Sequence, residues 1–123
     1  MKYLVDSNII IYHLNRDSIA TKFLTNYYKE IAISQITFIE VLSFTFTPKE
    51  ERDVKELLET FEIINIDSRI SNQAVRNRKL KKIKVPDNII VSTAQTYGLT
   101  LVTRNIKDFK TLDIDIFNPF DNK

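Results

Sequence analysis

Short apolar segments rich in β-branched residues alternate with longer segments of helical periodicity, and this alternation constrains the fold most strongly. Continuously apolar segments of four or five residues are typical of strands buried between two layers of helices. The pattern therefore predicts an α/β fold with a central, mainly parallel sheet of about five strands. The predicted strands are KYLV (2–5), IAIS (31–34), EIINI (62–66), TLVT (100–103) and DIDIF (113–117).

Residues that favour the start or the end of a helix divide the segments between these strands. Pro48 stands where a helix over 49–61 begins, and Pro86 suits the first turn of a helix that ends near Gly98. Asp67 or Ser68 can cap a helix that runs to about residue 81. Further helices are predicted from SNIIIYHL (7–14), over 18–29, over 36–46 and as a short turn at NIKDF (105–109).

The composition limits the kinds of site that the chain can carry. Its 123 residues match the usual size of one domain, so residues 1–123 are predicted to form a single domain. Because there is no cysteine and only one histidine, any metal ion must be bound by oxygen ligands, which favours Mg²⁺ or Mn²⁺ over Zn²⁺. No membrane span or signal peptide is recognisable, which predicts a cytoplasmic protein without a membrane partner.

Acidic side chains occur at the junctions between predicted strands and helices. Asp6 directly follows the first strand, Glu40 lies in the first turn after the second strand, and Asn105 and Asp108 follow the fourth. Asp87 opens the helix that leads into the fourth strand. Parallel strands present their carboxyl ends at one edge of a sheet, so these side chains are expected to lie together if the preceding helix brings Asp87 to that edge.

Each of these residues also has a structural explanation. Asp6 could cap a helix, Thr37 and Glu40 have the spacing of a capping box, Asp87 suits a helix dipole, and Asn105 could be an N-cap. These explanations do not account for the acids at every junction of one edge. Because crowded carboxylates repel one another, the pattern favours a cluster that binds a divalent cation. Such a site suits phosphodiester hydrolysis, in which the ion activates water and offsets charge in the transition state.

Three stretches together resemble PIN-domain proteins, and most closely the VapC-type ribonuclease toxins of prokaryotic type II toxin–antitoxin systems. The likeness runs nearly end to end. It implies a three-layer α/β/α fold and Mg²⁺- or Mn²⁺-dependent endonucleolytic cleavage of RNA. It also implies a cognate antitoxin protein and a homodimer. The stretches are YLVDSNIIIYHL (3–14), ISQITFIEVL (33–42) and PDNIIVSTAQTYGLTLVTRNIKDF (86–109).

The resemblance assigns roles to the acids by position. Asp6, Glu40 and Asp87 match the family's metal-binding acids. The fourth position matches less clearly, because Asn105 stands where family members have Asp or Asn, and Asp108 where a further acid is often found. The implied catalytic residues are therefore Asp6, Glu40, Asp87 and Asp108, with Asn105 acting through bound water.

Other residues are expected to contact substrate or water. The basic segment 76–84 precedes Asp87, so its side chains are predicted to bind the phosphate backbone of RNA without reading its bases, although a solvated helix face is the alternative. Thr103 and Arg104 are further candidates for contact with substrate, and Ser7 could hydrogen-bond a metal-bound water. The basic candidates in the segment are Arg76, Arg78, Lys79, Lys81, Lys82 and Lys84.

Two alternatives differ in function. A phosphotransferase of the haloacid dehalogenase type needs a second acid two residues after the first, where this chain has Asn8. A PIN-like RNA-binding module without catalysis is favoured by the neutral Asn105 and opposed by the three retained acids. Asn88, Val91 and Ser92 also depart from the family, which usually has smaller residues there, and are interpreted as packing positions.

Overall fold

The computed structural model describes residues 1–121 and confirms the α/β fold. Five strands of the described chain form one sheet in the order β3-β2-β1-β4-β5, and every pair of neighbours is parallel. The strands are β1 (Tyr3–Val5), β2 (Ile31–Ser34), β3 (Glu62–Ile64), β4 (Thr100–Val102) and β5 (Ile116–Phe117). The helices are α1 (Ser7–Leu14), α2 (Ser18–Tyr27), α3 (Gln35–Leu42), α4 (Pro48–Glu59), α5 (Ser68–Leu80), α6 (Val85–Tyr97) and α7 (Ile106–Phe109), with a 3₁₀ turn over Tyr28–Glu30.

The predicted signals at helix ends are confirmed where they are local. Pro48 occupies the first turn of α4, and Thr47 forms a capping box with Glu50. Asp67 caps α5 by accepting a hydrogen bond from the N–H of Ile70. Gly98 ends α6 in the left-handed conformation, with φ of 65°, which glycine adopts without the steric cost of a Cβ.

Consecutive strand residues point to opposite faces of the sheet, and this separates two cores. Val5 of β1 packs in the core with α1, α2, α3 and α4, whereas its neighbour Leu4 packs in the core with α5 and α6. Val102 and Leu101 divide in the same way on β4. The result is the three-layer α/β/α arrangement that was predicted.

Some predicted boundaries are wrong. The helix predicted over 36–46 begins at Gln35 and ends at Leu42, which puts Glu40 in its second turn. The strands predicted over 62–66 and 113–117 are shorter, at three and two residues. Ile39 and Phe44 are exposed, but most apolar residues of the segments 9–24 and 36–46 lie in the core. Within residues 1–121, no helix combines the length and apolar character that a bilayer span requires.

The order of the strands determines where a site can form. From β1 the chain first adds β2 and β3 on one side and later adds β4 and β5 on the other side. The crevice beyond the carboxyl ends of β1 and β4 is thus a topological switch point, where open α/β sheets usually bind ligands. Asp6 and Thr103 are the residues that follow these two strands.

Candidate active site

Asp6 is fixed at the switch point by three hydrogen bonds. Its backbone N–H donates to the carbonyl of Val102 at 2.9 Å, which extends the pairing of β1 with β4. Its Oδ2 accepts from the Thr103 hydroxyl at 2.7 Å, and its Oδ1 accepts from the Ser7 N–H at 2.7 Å. Asp6 is also the N-cap of α1, so the capping interpretation is correct. Only 5% of the residue is exposed, which leaves a carboxylate with a defined direction.

Glu40 is linked to this junction through Ser7. The Ser7 Oγ lies 2.6 Å from Glu40 Oε1 and 3.0 Å from the Thr37 Oγ1. Because a hydroxyl has one hydrogen, Ser7 donates to the carboxylate and accepts from Thr37. The capping-box interpretation of Thr37 and Glu40 is wrong, because the N-cap of α3 is Ser34, whose Oγ accepts from the N–H of Ile36.

Asp87 lies in the first turn of α6 and is half-buried. It lines a cavity of about 190 Å³ together with Asp108 and three lysines. Helix α6 packs mainly against α5 and also contacts β1, which precedes Asp6, and α3, which carries Glu40. The lysines that line this cavity are Lys81, Lys82 and Lys84.

The charges of the acids act on one another. The pKa of the Asp6 carboxyl is raised to about 6, chiefly by burial; the negative charges of Asp87 and Glu40 add to the shift, and the Thr103 hydroxyl opposes it. Burial also raises the pKa of Asp87, with contributions from Asp108 and Glu40. The charges of Asp87 and Glu40 thus act on Asp6, and those of Asp108 and Glu40 act on Asp87, so the predicted acids lie near one another at this edge.

The donor chemistry of these residues fits a hard divalent cation. Their oxygens are the ligands that Mg²⁺ and Mn²⁺ prefer, and no salt bridge within residues 1–121 neutralises Asp6, Glu40 or Asp87. In the same part of the chain, no three acidic or histidine side chains stand close enough to enclose an ion as they are. Asp87 is only half-buried, so rotation about its side-chain bonds can bring its oxygens closer to those of Asp6 and Glu40.

Asn105 and Asp108 form a pair at the outer side of the site. The Asn105 Nδ2 donates to Asp108 Oδ2 at 2.7 Å, and the Asn105 backbone N–H donates to the Thr103 Oγ1 at 2.9 Å. Asn105 occupies the N-cap position of α7 but makes no side-chain capping bond. The neutral residue is thereby hydrogen-bonded to the nearest acid instead of adding a charge.

A polar network between α5 and α6 was missed by the sequence analysis. Asn77 is almost fully buried, and its Nδ2 lies 2.9 Å from Ser92 Oγ and 2.8 Å from Gln95 Oε1. Asn88 donates from Nδ2 to the carbonyl of Ala74 at 2.8 Å. The interpretation of Asn88 and Ser92 as packing positions is correct, but they pack through hydrogen bonds that attach α6 to α5.

The basic candidates separate into two groups. Lys81, Lys82 and Lys84 line the cavity beside Asp87. The basic residues of α5 do not line it. Of these, Arg76 donates to the Gln73 side chain at 2.6 Å, and Arg78 and Lys79 line a different groove beside Val75, Val85 and Ile89.

Thr103 and Arg104 differ although they are adjacent. Thr103 is fully buried, so the expected contact of its side chain with substrate is wrong; its hydroxyl instead orients Asp6. Arg104 is exposed, and its Cζ lies 4.3 Å from the ring centre of Phe120 and 5.2 Å from that of Tyr12. Asn8 also reaches Thr103, with Nδ2 at 3.4 Å from the hydroxyl, while its buried Oδ1 has no partner within residues 1–121.

A family profile described as "PIN domain" matches residues 3–114 of the chain. No curated protein matches this chain. Among solved structures, the chain is similar to one in a toxin–antitoxin complex from Klebsiella pneumoniae, with a TM-score of 0.87 and 36% identity over 96% of this chain and 98% of the other.

Two further structures share the fold. VapBC2 from Rickettsia felis, bound to a DNA fragment from its promoter, has a chain with a TM-score of 0.80 and 27% identity over 96% of this chain and 98% of that one. FitAcB from Neisseria gonorrhoeae has a chain with a TM-score of 0.82 and 24% identity over 96% of this chain and 98% of that one, a likeness that shows the fold alone. The resemblance to PIN-domain proteins of the VapC type is confirmed by these matches.

Proposed function

This chain belongs to the PIN domain family, and on that premise we propose that it is an Mg²⁺- or Mn²⁺-dependent endoribonuclease, the toxin of a toxin–antitoxin pair. The family and its structural relatives support a toxin nuclease; the metal dependence and the choice of RNA are the proposed parts. The observation that carries the proposal is the buried Asp6 carboxylate at the switch point, whose pKa is raised by burial and by Asp87 and Glu40.

In the proposed site, Asp6, Glu40 and Asp87 bind the metal ion, and Asp108 completes the acidic set. The ion would lower the pKa of a bound water and offset negative charge at the phosphate. The protein's own residues determine the geometry. Thr103 directs Oδ2 of Asp6, and the Ser7 hydroxyl directs Oε1 of Glu40, so the role of Ser7 is assigned to that carboxylate.

The RNA backbone is proposed to approach from the side of the lysine-lined cavity. Lys81, Lys82 and Lys84 stand beside Asp87 and Asp108, where positive charge can bind the phosphates that flank the cleaved bond. The basic residues of α5 extend the positive charge farther from the acids, and we assign them weaker, non-specific binding of the RNA backbone. These residues are Arg76, Arg78 and Lys79.

The test is cleavage of a panel of structured and single-stranded RNAs by purified protein freed of any partner. Cleavage is expected with Mg²⁺ or Mn²⁺ and not with EDTA. Asp6→Asn and Asp87→Asn should each abolish it, because each removes a proposed metal ligand. Asp53→Asn is the matched control, since Asp53 is an exposed acid on α4 that pairs with Lys49.

Three other outcomes would contradict the proposal or part of it. Cleavage that survives EDTA, or that is equal in the wild type and both site variants, would assign the activity to a contaminant. RNA binding that is equal in EDTA and Mg²⁺ without any cleavage would favour the non-catalytic binding module, for which the neutral Asn105 is the specific observation.

The proposed partners are an antitoxin and a second copy of the chain, in the cytoplasm. The antitoxin is supported by the toxin–antitoxin complexes among the similar structures. Co-expression with the product of a neighbouring small gene should yield a stable complex that does not cleave RNA. Light scattering on the partner-free protein tests the homodimer directly, and a monomeric mass would refute it.

A further inference from the structure

Arg104 lies beside the candidate site but is arranged differently from the lysines. Its guanidinium is over the ring of Phe120, with Cζ at 4.3 Å from the ring centre, and near the ring of Tyr12 at 5.2 Å. The two rings contact each other, with their centres 5.2 Å apart, and Phe120 is only 6% exposed. The aromatic pair thus lies against an exposed guanidinium group.

Arg104 and Phe120 both border a cavity. The cavity has a volume of about 520 Å³ and is lined by Arg104 and Phe120 together with Asp17, Ile19 and Asp121. Its volume is within the range of pockets that bind small molecules. Within residues 1–121, the Arg104 guanidinium has no carboxylate partner within 4 Å, so its charge and donors remain available to a ligand.

The position of the cavity ties it to the candidate active site. Arg104 directly follows Thr103, whose hydroxyl donates to Asp6 Oδ2, and the segment that carries Phe120 follows β5, the neighbour of β4. The lysine-lined cavity uses Asp87 and Asp108 instead and shares none of these lining residues. Arg104 is therefore one residue along the chain from the hydroxyl that directs Asp6, and its guanidinium lies against Phe120 beyond β5.

We propose that Arg104, supported by Phe120 and Tyr12, forms a stacking subsite for a nucleobase next to the cleaved phosphate of RNA. Guanidinium planes and aromatic rings are common stacking partners of unpaired RNA bases. The two rim acids argue against the other anionic ligands, since Asp17 and Asp121 would repel a phosphate or an acidic peptide. The same carboxylates can accept hydrogen bonds from an exocyclic amino group, which favours adenine, cytosine or guanine over uracil.

This inference rests on the proposed function, and its test separates the two. Fluorescence anisotropy in EDTA, where no cleavage is expected, would measure binding of four octamers: oligoadenylate, oligocytidylate, oligouridylate and an abasic ribose-phosphate chain of the same charge. The wild type should bind the adenylate and cytidylate octamers roughly tenfold more tightly than the abasic octamer, in line with the stacking free energy of one base. The uridylate octamer should fall between them.

The variants distinguish stacking from charge. Arg104→Lys keeps the charge but not the planar group, so it should bring the adenylate octamer close to the affinity of the abasic octamer and leave the abasic affinity unchanged. Lys107→Ala is the matched control, because it removes an exposed charge three residues away that does not line the cavity, and should weaken all octamers equally. Asp17→Asn retains a residue type suited to the cap of α2. It should reduce the difference in affinity between the adenylate and the uridylate octamers.

Each remaining outcome overturns the inference in a recognisable way. Equal affinity of the wild type for the adenylate and abasic octamers would refute base stacking while leaving the proposed nuclease intact, and that comparison needs no variant to fold. Competition by a polyglutamate peptide that Arg104→Lys abolishes would assign the cavity to the carboxylates of a protein partner. Failure of the wild type to bind any octamer would refute both the subsite and the proposed RNA substrate.

Discussion

The candidate site has two parts that are built differently. The inner group, Asp6, Ser7, Thr37, Glu40 and Thr103, joins β1, α3 and β4 through side-chain hydrogen bonds between residues that are 30 to 97 positions apart. The outer group lies at the starts of α6 and α7 and consists of Lys84, Asp87, Asn105 and Asp108. Within residues 1–121, the one hydrogen bond between its side chains, from Asn105 to Asp108, spans three positions.

The difference indicates that the two groups have different roles in the site. The inner carboxylates have their directions fixed by buried donors before any ligand binds, whereas the outer acids are half-buried or exposed and can adjust to an ion or to a phosphate. Preorganised groups contribute most when they are supported by a second layer of hydrogen bonds. Among variants that leave the proposed metal ligands in place, those of the inner group should therefore have larger effects on cleavage than those of the outer group.

Among the variants that keep every proposed metal ligand, the largest effect on cleavage is expected for Thr103→Val, which keeps the shape of the side chain and removes the donor to Asp6. Cleavage should fall by about 10- to 100-fold, the usual cost of losing a partner of a metal ligand. Thr103→Ser retains the hydroxyl and is the control. Equal losses in both variants, measured by initial rates in Mn²⁺, would show that packing rather than the hydrogen bond matters.

Asp6→Asn should change the pH dependence of stability in EDTA. Because burial raises the pKa of Asp6 from 3.8 to about 6, the folded state binds its proton more tightly, and this contribution to stability is complete below pH 3.8 and is lost as the pH rises through 6. The free energy of unfolding of the variant relative to wild type should rise by on the order of 2 kcal/mol across that window. Urea denaturation at pH 4 and pH 7.5 measures this, and a constant difference would contradict the burial of the charge.

Asn105→Asp should strengthen metal binding at the outer group. The added carboxylate would face Asp108, where Nδ2 now donates at 2.7 Å, so the ion-free variant should melt at a lower temperature because of repulsion. With Mn²⁺ present, calorimetry should show binding tighter by about fivefold, within the usual range of a surface charge interaction. Asn72→Asp makes the same charge change on the exposed surface of α5, and an equal gain there would remove the special role of Asn105.

The smallest effect is expected for Lys84→Ala, which removes one charge from the cavity beside Asp87. RNA affinity should fall about threefold, and the slope of log K against log salt should decrease by about 0.7 for one lost phosphate contact with a single strand. Lys79→Ala is the control on α5, outside this cavity. If both variants changed the slope equally, the basic segment would act as a uniform positive surface.

Much of the fold was predictable because its signals are local. The cap at Asp67, the proline at the start of α4 and the glycine at the end of α6 act within one helical turn, and each is at its predicted place. The prediction that a helix extends to residue 46 was wrong, because local hydrogen bonding and a proline end the helix although the apolar periodicity continues. Ser43 bonds the carbonyl of Ile39, and the chain must become extended at Thr47 before Pro48.

The sequence by itself determined the alternation of strands and helices, the oxygen-only chemistry of any metal site and the junctions at which the acids stand. Only the tertiary structure decided which donor directs each acid, namely Thr103 for Asp6 and Ser7 for Glu40. It also decided that Asn77 attaches α5 to α6 by hydrogen bonds. The physical reason is the range of the interactions. Periodicity and capping are encoded in windows of a few residues, whereas these hydrogen bonds depend on how strands far apart in the chain are brought side by side.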